Sequence, residues 1–374
     1  LIRLERVVLR EIRLPLKEPF KISSGVVKDR RIMLLELQDS GGVRAWSECV
    51  AGEKPNYSPE TIDTAWLAIR EWLAPRLFGV ALDGPADAHT RMEADVRGHR
   101  MAKAALEMGL WGLVAEKEGV SLAQLLGGTQ ERIPVGVSLG IQATPEALVE
   151  RATAAAKAGY RKIKLKIEPG REIAFVAAVR EALPDAELMV DANNAYTLDD
   201  AGLLAQLDDF DLMMIEQPLE SEDLVRHAEL QRRLRTPLCL DESITSVNRL
   251  EDMLRLGSGR IVNIKPGRVG GFTSSIAIHD MARANDIPVW CGGMLESGVG
   301  RAYNVALASL PGFTLPGDLS PSSRYWERDV VTPEWTMDAE GMVTVPRDVP
   351  GLGVRVDEDR IDDLTVRREE LRAA

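Results

Sequence analysis

The chain is expected to be an α/β protein, a TIM-like barrel of eight strands joined to a small α+β N-terminal domain. Three observations carry this expectation. From Pro134 onward, short apolar runs alternate with helical patterns. One chemically loaded side chain closes each of five successive runs: Lys166, Asp191, Glu216, Asp241 and Lys265. The step between them is roughly 25 residues, the length of one strand plus one return helix in a barrel.

Residues 1–132 do not follow this rhythm and form the expected small α+β domain, which residues 340–374 are expected to rejoin. Val7 to Leu14, Arg31 to Leu37 and Trp46 to Val50 alternate like strands. The loops Pro19–Gly25 and Gly52–Tyr57 interrupt them. Ser58-Pro59 gives a helix start with proline in the first turn. Ile62, Trp66, Ile69 and Leu73 then form one apolar helical stripe. Ala102 to Lys117 is a second helix, whose Met101, Leu106, Met108, Leu110 and Trp111 are core rather than cofactor contacts.

Residues 133–339 form the expected catalytic barrel. Its strands are Val135–Gly140, Ile163–Ile167, Leu188–Asn193, Leu212–Gln217, Leu238–Glu242, Ile261–Lys265, Val289–Gly292 and Phe313–Gly317. Thr144-Pro145, Thr197 with Asp199 and Asp200, and Ser221 with Glu222 and Asp223 open the helices between them. Gly159 closes one. Strands alternating with helices at this pace imply a parallel sheet, and eight of them favour a closed ring. No glycine fingerprint for a dinucleotide follows the first strand. The charged stretch Asp357 to Ala374 is expected to be a surface helix that returns to the N-terminal domain.

Barrel strands end on one face, so the five recurring side chains meet in one pocket. Alternation places Asp191 and Asn193 on the same face of their strand. Three carboxylates in a low-dielectric mouth repel one another, and a hard divalent cation removes the conflict. Magnesium suits the oxygen donors Asp191, Glu216 and Asp241, with manganese or another divalent ion as a substitute. Acids serving only as helix caps or arginine partners would not fall in register on three successive strands. Glu242 should point away from Asp241 by alternation and is left out of the metal set.

Lys166 precedes the acids and Lys265 follows them, so the order around the ring is base, three ligands, base. A lysine is a poor base at neutral pH unless a nearby cation or burial lowers its pKa. Lys164, on the same strand face as Lys166, supplies such a cation and a contact for a substrate anion. A metal that takes both oxygens of a substrate carboxylate stabilises the enediolate formed when the α-proton leaves. Racemisation, dehydration and cycloisomerisation all share that first step. The four histidines lie away from the strand ends, and no serine-nucleophile elbow is present.

Composition sets the remaining bounds. The chain has 374 residues with 45% hydrophobic and 28% charged content, ordinary for a globular protein. Its net charge of -12 argues against nucleic acid and anionic membranes as partners. Cys49, Cys239 and Cys291 lie far apart without metal-type spacing, so they are expected to be reduced thiols of a cytoplasmic protein. The N-terminal stretch lacks the apolar core of a signal peptide, and no run reaches the roughly 18 residues of a membrane span.

The motifs Lys164-Leu165-Lys166, Val190-Asp191-Ala192-Asn193, Ile215-Glu216-Gln217-Pro218, Cys239-Leu240-Asp241-Glu242-Ser243 and Asn263 to Gly271 resemble the muconate-lactonising subgroup of the enolase superfamily. That superfamily is itself the standard instance of lysine-and-magnesium enediolate chemistry. Gly98–Lys103, Gly136–Ile141, Trp290–Gly298 and Leu315–Asp318 narrow the resemblance to its o-succinylbenzoate synthases and N-acylamino acid racemases. The resemblance implies an α+β N-terminal capping domain, rejoined by the tail, over a (β/α)7β barrel, and with it magnesium, a small carboxylate substrate and a homo-oligomer. It implies that Ser138, Lys164, Gly293 and Met294 line the pocket. The loops Pro19–Gly25 and Gly52–Tyr57 would close over it, bringing Tyr57 to the substrate. Ser24 stands where many relatives have phenylalanine and Ile22 where threonine is common, which bears on substrate preference. Muconate-type cycloisomerase and dipeptide epimerase are the neighbouring readings. A Schiff-base aldolase and a non-catalytic metal-binding protein are the distant ones.

Overall fold

The computed structural model describes residues 1–23 and 25–373. Ser24, one of the positions set apart above, lies outside the described residues. Three long strands open the chain: Leu4–Ile22, Gly25–Asp39 and Arg44–Cys49. They pair antiparallel in sequence order. The expected loop Pro19–Gly25 is mostly strand, because pairing resumes at Phe20–Val27 and runs to Ile22–Gly25. The register slips between Pro15 and Phe20, across the segment where two prolines cannot donate to the ladder.

Thr61, not Ser58, caps the next helix, Ile62–Ala68, and accepts from Thr64 N. Ile62, Trp66, Ile69 and Leu73 are buried as their spacing requires. The long helix Arg100–Glu118 packs its Met101, Leu106 and Leu110 into the same core.

The barrel strands follow in ring order: Gly136–Leu139, Lys162–Lys166, Leu188–Asp191, Ile215–Glu216, Leu238–Leu240, Ile261–Ile264 and Val289–Cys291. All neighbours are parallel. Phe313–Gly317 closes the ring by single bridges rather than a ladder: Phe313 pairs with Val289, and Gly317 with Val135. Most strands stop short of their expected ends; two stop at Asp191 and at Leu240.

The charged tail is not one surface helix. Only Glu358–Leu364 is helical. Thr365–Arg372 is a strand, antiparallel to Leu4–Ile22 at the edge of the first sheet. Arginines and glutamates on an edge strand protect it from pairing with another chain, and the same composition imitates an exposed helix.

Candidate active site

The ring carries the five recurring side chains to one mouth. Lys166 lies opposite Asp191 in the ladder, and Asp191 opposite Glu216. Asp241 and Lys265 each sit one residue beyond a strand end. In a ring of eight, the strands of Lys166 and Lys265 are second and sixth, so they face each other across the mouth. Both lysines line one cavity of about 430 Å³ between the barrel and the first sheet.

The lysines and acids are bound to one another. Lys166 Nζ donates to Asp191 Oδ2 at 2.5 Å and to Asn193 Oδ1 at 2.8 Å. Lys265 Nζ donates to Asp241 Oδ2 at 2.7 Å. Lys164 Nζ reaches Glu216 Oε2 at 3.2 Å, Asp191 Oδ2 at 3.5 Å and Asp318 Oδ2 at 2.5 Å. Asn263 Nδ2 donates to Glu216 Oε1 at 2.7 Å. Arg268 pairs with Asp241 Oδ1, which also accepts from Tyr57 Oη at 2.7 Å.

Burial and charge then set the ionisation. Burial opposes the charge on Asp191, but Lys166 and Lys164 override it and hold the pKa below the ordinary value. Burial and the Asp191 charge push Glu216 up to about 8. Burial pulls Lys265 down, yet the Asp241 carboxylate more than reverses that pull. Lys164 is likewise held well above an ordinary lysine by Asp318, Glu216 and Asp191, against the pull of burial.

A divalent cation fits this donor set. The acids are buried, oxygen-bearing and mutually repulsive, and Glu242 Oε2 and Asn263 Oδ1 are buried acceptors without a donor. Asp191, Glu216 and Asp241 are nevertheless saturated by lysine, arginine, amide and phenol donors. Among the described residues, no group of three His, Cys, Asp or Glu side chains is arranged to hold an ion. Loading the metal therefore requires those donors to yield.

Tyr57, Asn193, Gly293 and Met294 all line the cavity. Ser138 and Lys164 do not. They lie opposite each other in the ladder beneath it, and the Ser138 hydroxyl is buried without a partner. Lys164 is taken up by three carboxylates rather than turned toward the cavity.

Glu242 corrects the alternation argument. Its strand stops at Leu240, so the period of two does not extend to it. Glu242 joins the acid cluster: Asn193 and Asn194 each donate to its Oε1 at 3.2 Å, and burial with Asp241 and Asp191 pushes it up to about 8. Asn193 comes to the mouth through a left-handed turn (φ 43°) rather than along a strand. Asparagine tolerates that conformation better than most residues. Arg268 and Asp318 stood inside recognisable motifs, but no local signal tied them to Asp241 and Lys164.

Residues 5–127 match the mandelate racemase / muconate lactonizing enzyme N-terminal domain, and residues 147–360 match the enolase C-terminal domain-like family. The chain belongs to the enolase superfamily. Within it, the chain is 49% identical over 364 residues to an o-succinylbenzoate synthase of Geobacillus kaustophilus, covering 97% of this chain and 96% of that one. It is 47% identical over 364 residues to an N-succinylamino acid racemase of Amycolatopsis sp, covering 97% and 98%. A crystal structure of an enolase superfamily member from Listeria innocua superimposes with a TM-score of 0.96 at 41% identity, over 100% of both chains.

Proposed function

We propose that this enzyme removes the proton beside a substrate carboxylate, acting as an o-succinylbenzoate synthase, an N-succinylamino acid racemase, or both. The observation that carries the reading is the placement of Lys166 and Lys265 on opposed strands, both open to one cavity. Asp191, Glu216 and Asp241 would hold magnesium or another divalent ion. When bound, that ion sets a positive charge against the substrate carboxylate and acidifies the neighbouring carbon.

Lys166, as the free amine, takes the α-proton from one face. In racemisation the Lys265 ammonium returns a proton to the opposite face. In dehydration of 2-succinyl-6-hydroxy-2,4-cyclohexadiene-1-carboxylate, Lys166 takes the proton and then delivers it to the departing hydroxyl. There Lys265 stays protonated and offsets the developing negative charge. Tyr57 and Met294 shield these transfers from bulk water, and Asn193 orients Lys166.

The epimerase reading is disfavoured by Asp318. Its carboxylate is held by Lys164 at 2.5 Å and lies 3.4 Å from Lys162, two cations that a substrate amine would have to displace. We further propose residues 1–132 with 340–374 as a cap and 133–339 as the catalytic unit. A homo-oligomer remains part of this reading, on the ground of the family resemblance. Three buried, unpaired thiols support a cytoplasmic setting. No helix among the described residues is long and apolar enough to cross a membrane.

The test is to measure turnover of the cyclohexadiene acid and of N-succinylphenylalanine side by side, with magnesium and after chelation. Metal-dependent turnover of at least one substrate is expected. Activity on neither, or activity indifferent to chelation with borohydride trapping of a lysine, overturns the reading.

A further inference from the structure

Two walls of the cavity come from opposite parts of the chain, and one side chain joins them. The first wall is the Gly52–Tyr57 loop, which leaves the first sheet at Val50 and Ala51. The second is the turn at Gly293, Met294 and Leu295, which follows the barrel strand Val289–Cys291. Arg30 lies on the strand Gly25–Asp39 and is buried between them. Its guanidinium donates to Val50 O at 2.8 Å, Ala51 O at 3.3 Å and Met294 O at 3.2 Å.

Met294 is fixed from its other side as well. Its N–H donates to Glu296 Oε1 at 2.8 Å, and Asn304 Nδ2 donates to the same oxygen at 2.7 Å. Glu296 supplies a countercharge that keeps a buried guanidinium tolerable, and Glu48 lies beside the pair. Glu48 is anchored in turn: Ser297 Oγ donates to it at 2.6 Å and Gly300 N at 3.0 Å. Arg301 stands 3.4 Å from Glu296 and donates to Asp318 O at 2.7 Å. The result is a buried strip in which two adjacent acids lie between Arg30 of the first sheet and Arg301 of the barrel.

Arg30 makes no hydrogen bond to Lys166 or Lys265, so proton transfer does not run through it. Its acceptors are all backbone carbonyls, Arg31 O at 3.4 Å besides those of Val50, Ala51 and Met294, so it fixes where two segments stand relative to each other. A planar fork spans three carbonyls on two segments, whereas a lysine point charge does not. Resting on the function proposed above, we propose that Arg30 is a positioning residue for specificity. It joins the Gly52–Tyr57 loop and the Met294 turn into one wall, which grips the part of the substrate remote from the α-carbon. A wall free to shift by a fraction of an ångström loses that grip while the lysines keep their places.

The test uses Arg30→Lys and Arg30→Met in the full chain, loaded with magnesium. KM and kcat are measured for N-succinylphenylalanine and N-succinylalanine, together with α-proton exchange in deuterium oxide. Arg30→Met is expected to raise KM for the phenylalanine substrate by roughly tenfold or more, the loss of a charge-assisted bond. The change in kcat should be much smaller, the preference between the two substrates should narrow, and Arg30→Lys should fall between. An unchanged KM with lowered kcat, or an unchanged preference, overturns the proposal. If Arg30→Met does not fold, Arg30→Lys is judged by the same criteria. Inactivity of the unsubstituted enzyme on both substrates removes the racemase, and inactivity on the cyclohexadiene acid as well sinks the function reading. Arg30 is then judged by hydrogen–deuterium exchange of residues 52–57. Faster exchange in Arg30→Lys supports the proposal, and equal exchange refutes it.

Discussion

Lys265 and Asp241 are joined by a 2.7 Å bond that couples a proposed acid–base group to a carboxylate of the proposed metal site. The same carboxylate accepts from Tyr57 of the Gly52–Tyr57 loop. Loop, base and ligand therefore share one oxygen pair, and a change at any of them is felt by the other two.

Replacing either lysine should stop racemisation. A positioned acid or base contributes roughly 10²–10⁴-fold, so Lys166→Ala and Lys265→Ala should each lose at least that much turnover on N-succinylphenylalanine. Circular dichroism of both should match the unsubstituted protein. A Lys265→Ala enzyme that still racemises at full rate would remove the two-base scheme.

Chelation should abolish activity, and added magnesium should restore it. Asp241→Asn removes one charge from the donor set and should weaken magnesium binding by an order of magnitude or more, read by calorimetry. Equal affinity in the two proteins would take Asp241 out of the metal site.

Gly292 should not tolerate a methyl group. A Cβ there would lie 2.2 Å from Asn263 Oδ1 and 2.6 Å from Lys265 Cε. Gly292→Ala must push Lys265 from its place, and kcat should drop by roughly tenfold or more, because a small misplacement of a reacting group costs that much or more. Unchanged kcat would mean that the lysine arm adapts without consequence.

Glu48 should make stability depend on pH. Burial, reinforced by Glu296, raises its pKa from 4.5 to about 8 against the opposing bonds from Ser297 and Gly300 and the charge of Arg30. A raised acid prefers its protonated form in the folded state. Its stabilisation is full below about 4.5 and is lost as pH rises through about 8. Melting temperatures of Glu48→Gln between pH 5 and 9 should therefore fall less than those of the parent. Parallel curves would show that Glu48 does not carry the effect.

The barrel was legible because its signals are local. Strand-end acids and lysines recur at one interval, and helix-opening residues such as Thr144 cap as expected, accepting from Ala147 N. What sequence missed depends on distance. Thr365–Arg372 is a strand only because Leu4–Ile22 offers it an edge. Glu242 enters the acid cluster only because its strand ends two residues earlier. Arg30 gains its place from carbonyls 20 and 264 residues away along the chain. No periodicity within a window of the sequence encodes such meetings.

Glu48 reaches Ser297 and Gly300 at the start of the helix Gly298–Ala308. Glu107, on the helix Arg100–Glu118, serves the helix Phe272–Ala284 in the same way, accepting from Phe272 N at 2.8 Å and Thr273 N at 3.0 Å. Two return helices of the ring thus have their opening amides satisfied by carboxylates encoded far upstream. A chimera that exchanges the first 132 residues for those of a distant relative inherits the catalytic ring intact only if the donor sequence brings both glutamates. Modular swapping in this architecture is constrained by a pair of acids that touch no substrate.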